Sequence, residues 1–296
     1  MRDVSVGIAL APHAETLERL GRAIHELAEH WSLTPETLWR LDERGELVSN
    51  GFHELFRRWR EARRLRCVAH GVGFSVGTPQ REAARRDAWL ARLRADAEVF
   101  EFEWITDHLG ASRLGGRELT LPMPLLMNEA SAAVVRASLE ELRAISPDVG
   151  VENSVFYFHL GSPLDEPEFL RACVAAPRSH LLLDLHNVYT TARNAGFEAG
   201  EYVERLPLDK VIEIHLSGGK DSDPRWLPER AVRRLDSHDD AIPEAVWALF
   251  ESVAPRCANL RAVTVERMER TVDDGDAEIV EAELSRARRT LDLVHG

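Results

Sequence analysis

The sequence predicts a single-domain (β/α)8 barrel of the TIM type over residues 1–296, and three observations carry that expectation. Short β-branched or apolar runs recur along the chain, longer segments with helical periodicity separate them, and eight such runs can be counted. The length agrees, because barrels of this kind use about 250 residues as one unit. A doubly wound open sheet is the fallback, since the second run is poorly patterned and the segment after it is long.

In chain order the runs are VSVGIA (4–9), HWSLT (30–34), LRCVAHG (65–71), FEWITDHL (102–109), VGVENS (149–154), LLLDLHN (181–187), VIEIHLSG (211–218) and LRAVTVERM (260–268). Between them, HAETLERLGRAIHELAE, GFHELFRRWREARR, PQREAARRDAWLARLRADAE, NEASAAVVRASLEELRAI, DEPEFLRACVAA and IPEAVWALFESVA repeat apolar residues at helical spacing with charges between. Asp165 with Glu168 reads as a capping pair, and Pro243 suits a first helical turn. The closing segment 273–296 starts acidic and ends basic, as the helix dipole favours. Trp59, Trp89 and Trp247 occupy helical positions and read as core.

Composition narrows the function classes. With 44% hydrophobic and 29% charged residues the chain reads as soluble and globular. Its net charge of −13 opposes a phosphate backbone, so nucleic acid is not an expected partner. Cys67, Cys173 and Cys257 are odd in number and far apart, which argues against a disulfide framework and for a reducing cytoplasm. The first twenty residues lack the apolar core of a signal peptide, and no stretch approaches the roughly 20 apolar residues of a membrane span.

The polar residues of the runs sit at one place in each. His70 ends the third run, His108 the fourth, Glu152 and Asn153 the fifth, Asp184, His186 and Asn187 the sixth, His215 the seventh and Glu266 the eighth. The loop after the seventh adds Asp236 and His238. In a barrel all carboxyl ends open on one face, so these residues would meet in a single cavity. Each alone reads as a hydrogen-bonded structural residue, but buried acids and imidazoles are costly when unpaired, and their recurrence points to a metal site. Imidazole and carboxylate donors without thiolates suit Fe, Mn or Zn, and this many donors exceed what one ion takes.

Other polar residues carry less. Glu36 is left out of the set because, after Pro35, it reads as the start of a helical turn. Lys220 in SGGKDSDP lacks the P-loop spacing, and Ser75 in VGFSVG lacks the glycine pattern of a nucleophile elbow; both read as turn residues. His13, His25, His30, His53, His159, His180 and His295 read as solvated residues of helices and loops.

Taken as an ordered set, AHGVGFSVG, TDHLG, LPMPLLMNEA, VENSVFYF, LLLDLHNVYTTARNAGF, VIEIHLSGG and LDSHDDAIPEAVWALF resemble the signature segments of the multinuclear non-haem iron-dependent oxidative enzymes. The resemblance runs from about residue 65 to 268. It implies a barrel holding two or three irons, as Fe2+ and Fe3+, with O2 as co-substrate. It further implies a ribosomally made precursor peptide as substrate, often modified at cysteine, and a partner protein that binds the leader.

Position by position, the resemblance implies metal ligation by His70, His108, Glu152, Asp184, His215, Asp236, His238 and Glu266. Many relatives read Asp-Val-Asn-Asn where this chain reads Asp184-Leu185-His186-Asn187, and they place a histidine where this chain has Ala195. Two expectations follow: His186 takes over that ligand's work, with Asn187 beside it, or the site holds one fewer iron. Gly219 stands where many relatives have AGH, and the first 60 residues lack the usual early RP segment. The same donor set also suits a non-redox divalent-metal barrel enzyme of sugar isomerase or hydrolase type, and a barrel that merely recruits a peptide is a third reading.

Overall fold

The computed structural model describes residues 4–273 and 275–295, apart from the side chains at 120, 121, 294 and 295; the side chain of His295, together with Asp274 and Gly296, thus lies outside the described residues. The eight runs form eight parallel strands: β1 (Ser5–Leu10), β2 (His30–Leu33), β3 (Arg66–Gly71), β4 (Ile105–His108), β5 (Val149–Glu152), β6 (Ser179–Asp184), β7 (Val211–Leu216) and β8 (Ala262–Val265). Each pairs with its sequence neighbours, and β1 closes the barrel on β8 through Ser5–Ala262 to Ile8–Val265. The open-sheet fallback is thereby excluded.

The helices are α1 (Ala14–Arg19), α2 (Gly51–Arg63), α3 (Ala83–Phe100), α4 (Glu129–Arg143), α5 (Glu166–Cys173), α6 (Leu185–Ala195), α7 (Ala199–Arg205), α8 (Glu244–Val253) and α9 (Asp276–His295). Asn50 and Asn128 start α2 and α4 by accepting hydrogen bonds from the first-turn amides of each helix. The pair Asp165 and Glu168 does not cap α5; Ser162 accepts from the Leu164 amide and leads a 3-10 turn into the helix, while Glu168 reaches Arg171 instead. Pro243 stands one place before α8, where its missing N–H costs nothing.

The long segment after β2 is a 3-10 turn (Pro35–Leu38) followed by a two-stranded hairpin, Trp39–Leu41 with Leu47–Ser49. A second hairpin, Ala111–Leu114 with Arg117–Met123, follows β4. Neither was among the eight runs, because strands this short carry too little alternation to be distinguished from loop.

Two-residue alternation divides β3, β7 and β8 between two cores. Ile8, Leu181, Leu183, Ile214 and Val263 belong to the main apolar core with the helices, where Trp247 is buried and Trp59 and Trp89 pack against it. Val68, Trp104 and Ala262 belong to a separate small cluster. They stand two residues before His70, Thr106 and Thr264, so stepping along each interior face leads from apolar to polar side chains.

Two of the histidines read as solvated are buried instead. His30 hydrogen-bonds Thr264 across the barrel, and His53 faces Asp96 at 3.1 Å. His180 pairs with Asp148 at 2.9 Å. Single-residue polarity says little about burial when a tertiary partner satisfies the ring.

Candidate metal centre

Every strand from β3 to β8 delivers a polar side chain at or next to its carboxyl end. Glu152, the last residue of β5, stands at the centre of one group. One of its carboxylate oxygens is 3.1 Å from His108 Nε2 and 3.3 Å from His70 Nε2, and the other is 3.6 Å from His215 Nδ1. The rings of His70 and His108 are 4.6 Å apart.

Hydrogen bonds behind these rings decide which nitrogen faces inward. The Nδ1–H of His108 donates to the Gly71 carbonyl at 3.0 Å. The Thr106 hydroxyl donates to the Ala69 carbonyl and therefore accepts from His70 Nδ1–H at 2.9 Å. Both rings thus turn an Nε2 lone pair toward a carboxylate oxygen, and only a cation between them, a proton or a metal ion, reconciles that geometry.

A second group forms further round the barrel. Glu266, immediately after β8, lies 3.1 Å from His215 Nδ1 and, through its other oxygen, 3.4 Å from His238 Nδ1. Asp184 joins His238 and Glu266, while His186, Asp236 and His238 make a third set; the donor atoms of each set lie within 4.8 Å of one another. Asp236 Oδ1 is shared, 2.7 Å from His238 and 3.3 Å from His186.

The local sequence explains how Asp184 reaches this position. β6 ends at Asp184, and α6 begins at once at Leu185. His186 and Asn187 are therefore first-turn helix residues, not the end of a strand as the run LLLDLHN suggested; the apolar pattern cannot distinguish a strand end from a buried helix start. Asp184 caps the helix by accepting the Asn187 amide at 2.6 Å through Oδ1, while its buried Oδ2 makes no hydrogen bond. The Asn187 side chain donates to the Asn153 carbonyl at 2.9 Å, and Asn153 in turn exchanges two hydrogen bonds with the Asp184 backbone. Asn187 and Asn153 thus fasten the β6–α6 junction to the end of β5.

Two glycines let the loop after β7 fold back over the site. A Cβ on Gly218 would lie 2.2 Å from the Ala241 carbonyl oxygen, and one on Gly219 would lie 2.3 Å from that of Leu235 and 3.1 Å from the His186 ring. The loop is held from outside by Tyr157, whose hydroxyl accepts from the Asp236 amide at 3.1 Å, and by Asn194, which exchanges hydrogen bonds with the Arg234 backbone. Lys220 lies on this loop, 3.3 Å from Asp239.

Electrostatically the site is a mesh of opposite charges. Burial works against the charge on Glu152, but His108 and His70 overcome it and hold the carboxyl well below its ordinary range. Burial likewise opposes charge on His238, yet Asp236 and Glu266 raise it to about 10. Asp184 is pushed well up by burial and by the charges of Glu152 and Asp236. Burial lowers His186, against the pull of Asp236. Glu152, Asp184 and His215 each keep one buried atom without a hydrogen bond, Oε2, Oδ2 and Nδ1. Converging lone-pair donors of this kind fit metal cations.

Sequence reading missed several residues around the ligand set. Glu213 stands two places before His215 and is fully buried; its position in the same alternation was the available signal. Glu36, in its 3-10 turn, accepts the Val72 and Gly73 amides at 2.6 and 2.7 Å and so braces the loop after His70. Nothing in the local sequence announces that contact.

Fold and site together define a closed (β/α)8 barrel with a cluster of histidines and carboxylates at the carboxyl ends of its strands. The family model described as RiPP precursor modification enzyme MbnB/TglH/ChrH matches residues 47–292, and the chain belongs to that family, the one its motifs resemble. UPF0276 proteins are similar to it: that of Rhizorhabdus wittichii is 35% identical over 234 residues, covering 75% of this chain and 78% of the relative. That of an Anaeromyxobacter species is 32% identical over 237 residues, 79% and 80% of the two chains. Solved barrels share the fold at low identity. A D-allulose 3-epimerase from a Methylomonas species in complex with D-allulose has a TM-score of 0.59 at 12% identity over 100% of this chain and 97% of that one. The IOLI protein with a binding zinc atom has 0.57 at 11% over 98% of each.

Proposed function

We propose that this chain is an iron- and O2-dependent enzyme that oxidatively modifies a ribosomally made peptide, at cysteine or another residue. The observation that carries the reading is the convergence of His70, His108 and His215 on Glu152 with lone-pair atoms turned inward. Family membership supplies the peptide substrate class. The metal ligands are His70, His108, Glu152, Asp184, His186, His215, Asp236, His238 and Glu266, with Asn187 alongside. Bound iron, as two or three ions, would supply the one-electron chemistry that O2 requires.

The chain's own residues do the rest. Glu152 and Glu266 each present two oxygens to different histidines, so each would help hold neighbouring cations and compensate their charge. Thr106 and the Gly71 carbonyl hold the His70 and His108 rings in place. Exposed Val72, Met123, Tyr157, Phe158 and Met268 lie on segments that follow β3, β4, β5 and β8, and they offer apolar contact to a peptide.

The three cysteines are free and buried, in keeping with a reducing cytoplasm, and no helix among the described residues is long and apolar enough to cross a membrane. A leader-binding protein is the expected partner. The test is anaerobic purification with metal analysis, then O2 exposure with a short peptide encoded beside the gene. Two or more irons per chain and an O2-dependent change in peptide mass support the reading. Stoichiometric zinc with O2-independent turnover of a sugar would replace it with the isomerase-like alternative.

A further inference from the structure

We infer that Glu213 is a positioning residue that presents His215 to the metal centre through Nδ1 and strengthens it as a donor; the inference rests on the metal-centre reading above. Glu213 lies one step deeper on the same face of β7 and is 0% exposed. Three donors converge on its carboxylate. Oε1 accepts from His215 Nε2 at 3.1 Å and from the Thr264 hydroxyl at 2.6 Å, while Oε2 accepts from Trp104 Nε1 at 2.7 Å.

The direction of every bond in this network follows from the donor inventory. A carboxylate only accepts, so His215 carries its proton on Nε2 and leaves Nδ1 facing Glu266 at 3.1 Å and Glu152 at 3.6 Å. The Thr264 hydroxyl is committed to Glu213 and therefore accepts from His30 Nε2 at 2.9 Å. The His30 ring is itself held by Gly7, where a Cβ would lie 2.5 Å from it. An amide in place of Glu213 would aim an N–H at one of the three donors, so the network selects an acceptor-only side chain.

Glu213 also separates His215 from its neighbours. His70 is backed by a hydroxyl and His108 by a backbone carbonyl, both neutral, whereas His215 is backed by a carboxylate. A charged acceptor draws the Nε2 proton more strongly and enriches the lone pair on Nδ1. Burying a carboxylate this deeply is costly, and a merely structural contact among Trp104, Thr264 and His30 needs no charge.

The test uses the full chain stripped of metal and titrated with Zn(II) as a diamagnetic probe, with histidine 15N spectra recorded before and after. In the wild type, His215 is expected to ligate zinc through Nδ1 and to keep a downfield Nε2–H signal. Glu213→Gln is expected to weaken one class of zinc site by about 10- to 100-fold and to remove that signal. Thr264→Val, which keeps the charge on Glu213, is expected to retain both. Zinc affinities of Glu213→Gln equal to wild type, or ligation of wild-type His215 through Nε2, overturn the inference alone. Wild-type protein that takes up no ion overturns it together with the metal reading.

Discussion

The imidazole Nδ1 of His186 lies 3.3 Å from Asp236 Oδ1, joining the first turn of α6 to the loop after β7 across 50 residues of sequence. The same oxygen is 2.7 Å from His238 Nε2. In this chain the helix start thus contributes an imidazole to a set completed by the loop. If His186 is a ligand, His186→Ala lowers the number of bound ions while leaving the circular dichroism of the barrel intact. Unchanged metal loading would assign the ring to packing beneath the loop.

Gly219 makes room for that ring. Gly219→Ala places a methyl 2.3 Å from the Leu235 carbonyl oxygen, so the loop bearing Asp236 and His238 must move. The expected outcome is a loss of about 1–3 kcal/mol in thermal unfolding together with reduced metal content. Gly200→Ala, in α7, meets nothing within 4 Å and serves as the contrast. It should gain up to about 1 kcal/mol with metal content unchanged.

Glu152 touches three histidines, more than any other carboxylate of the site as described. Glu152→Gln keeps its volume but loses its charge and one acceptor oxygen. Its metal loading is expected to fall further than that of His186→Ala, and its affinity by ~100-fold or more, because even outer partners of ligands cost about 10- to 100-fold. Metal analysis after dialysis against a chelator series would measure it; retention at the wild-type level would remove Glu152 from the centre.

Asp107, beside His108 on β4, faces away from the cluster. Burial, reinforced by the charge of Glu36, raises its carboxyl to about 8. A carboxyl whose folded value is raised above its unfolded one favours the fold at low pH, and that contribution is lost as the pH rises from about 4 through about 8. Asp107→Asn keeps an oxygen for the Val76 amide, now bonded at 3.3 Å, and never ionises. With each pKa unit worth about 1.4 kcal/mol, the variant should unfold several degrees above wild type at pH 9, and the gap should close by pH 4. A constant gap across that range would show that Asp107 does not titrate with folding.

Two sequence readings failed for one physical reason. His186 read as a strand residue and His30 as solvated, although the first opens α6 and the second lies buried against Thr264. Periodicity reports which face of an element is apolar, but not where a strand turns into a helix or whether a polar ring finds a partner across the barrel. The Asp165–Glu168 pair failed similarly, since Ser162 had already begun the turn.

By itself the sequence determined the order of eight strands, their alternation with helices and the placing of most of the polar residues at carboxyl ends. Those features follow from local alternation and from the rule that successive βα units bring their strand ends to one face. Only the tertiary structure decided which atoms meet: Glu152 between His70 and His108, Asp236 between His186 and His238, and Glu213 behind His215. Those pairings join residues from 2 to 82 positions apart, across different strands and loops, between layers of one strand or within one loop. Their geometry is set by barrel closure, glycine clearance and buried hydrogen bonds, none of which is written in any single segment of the chain.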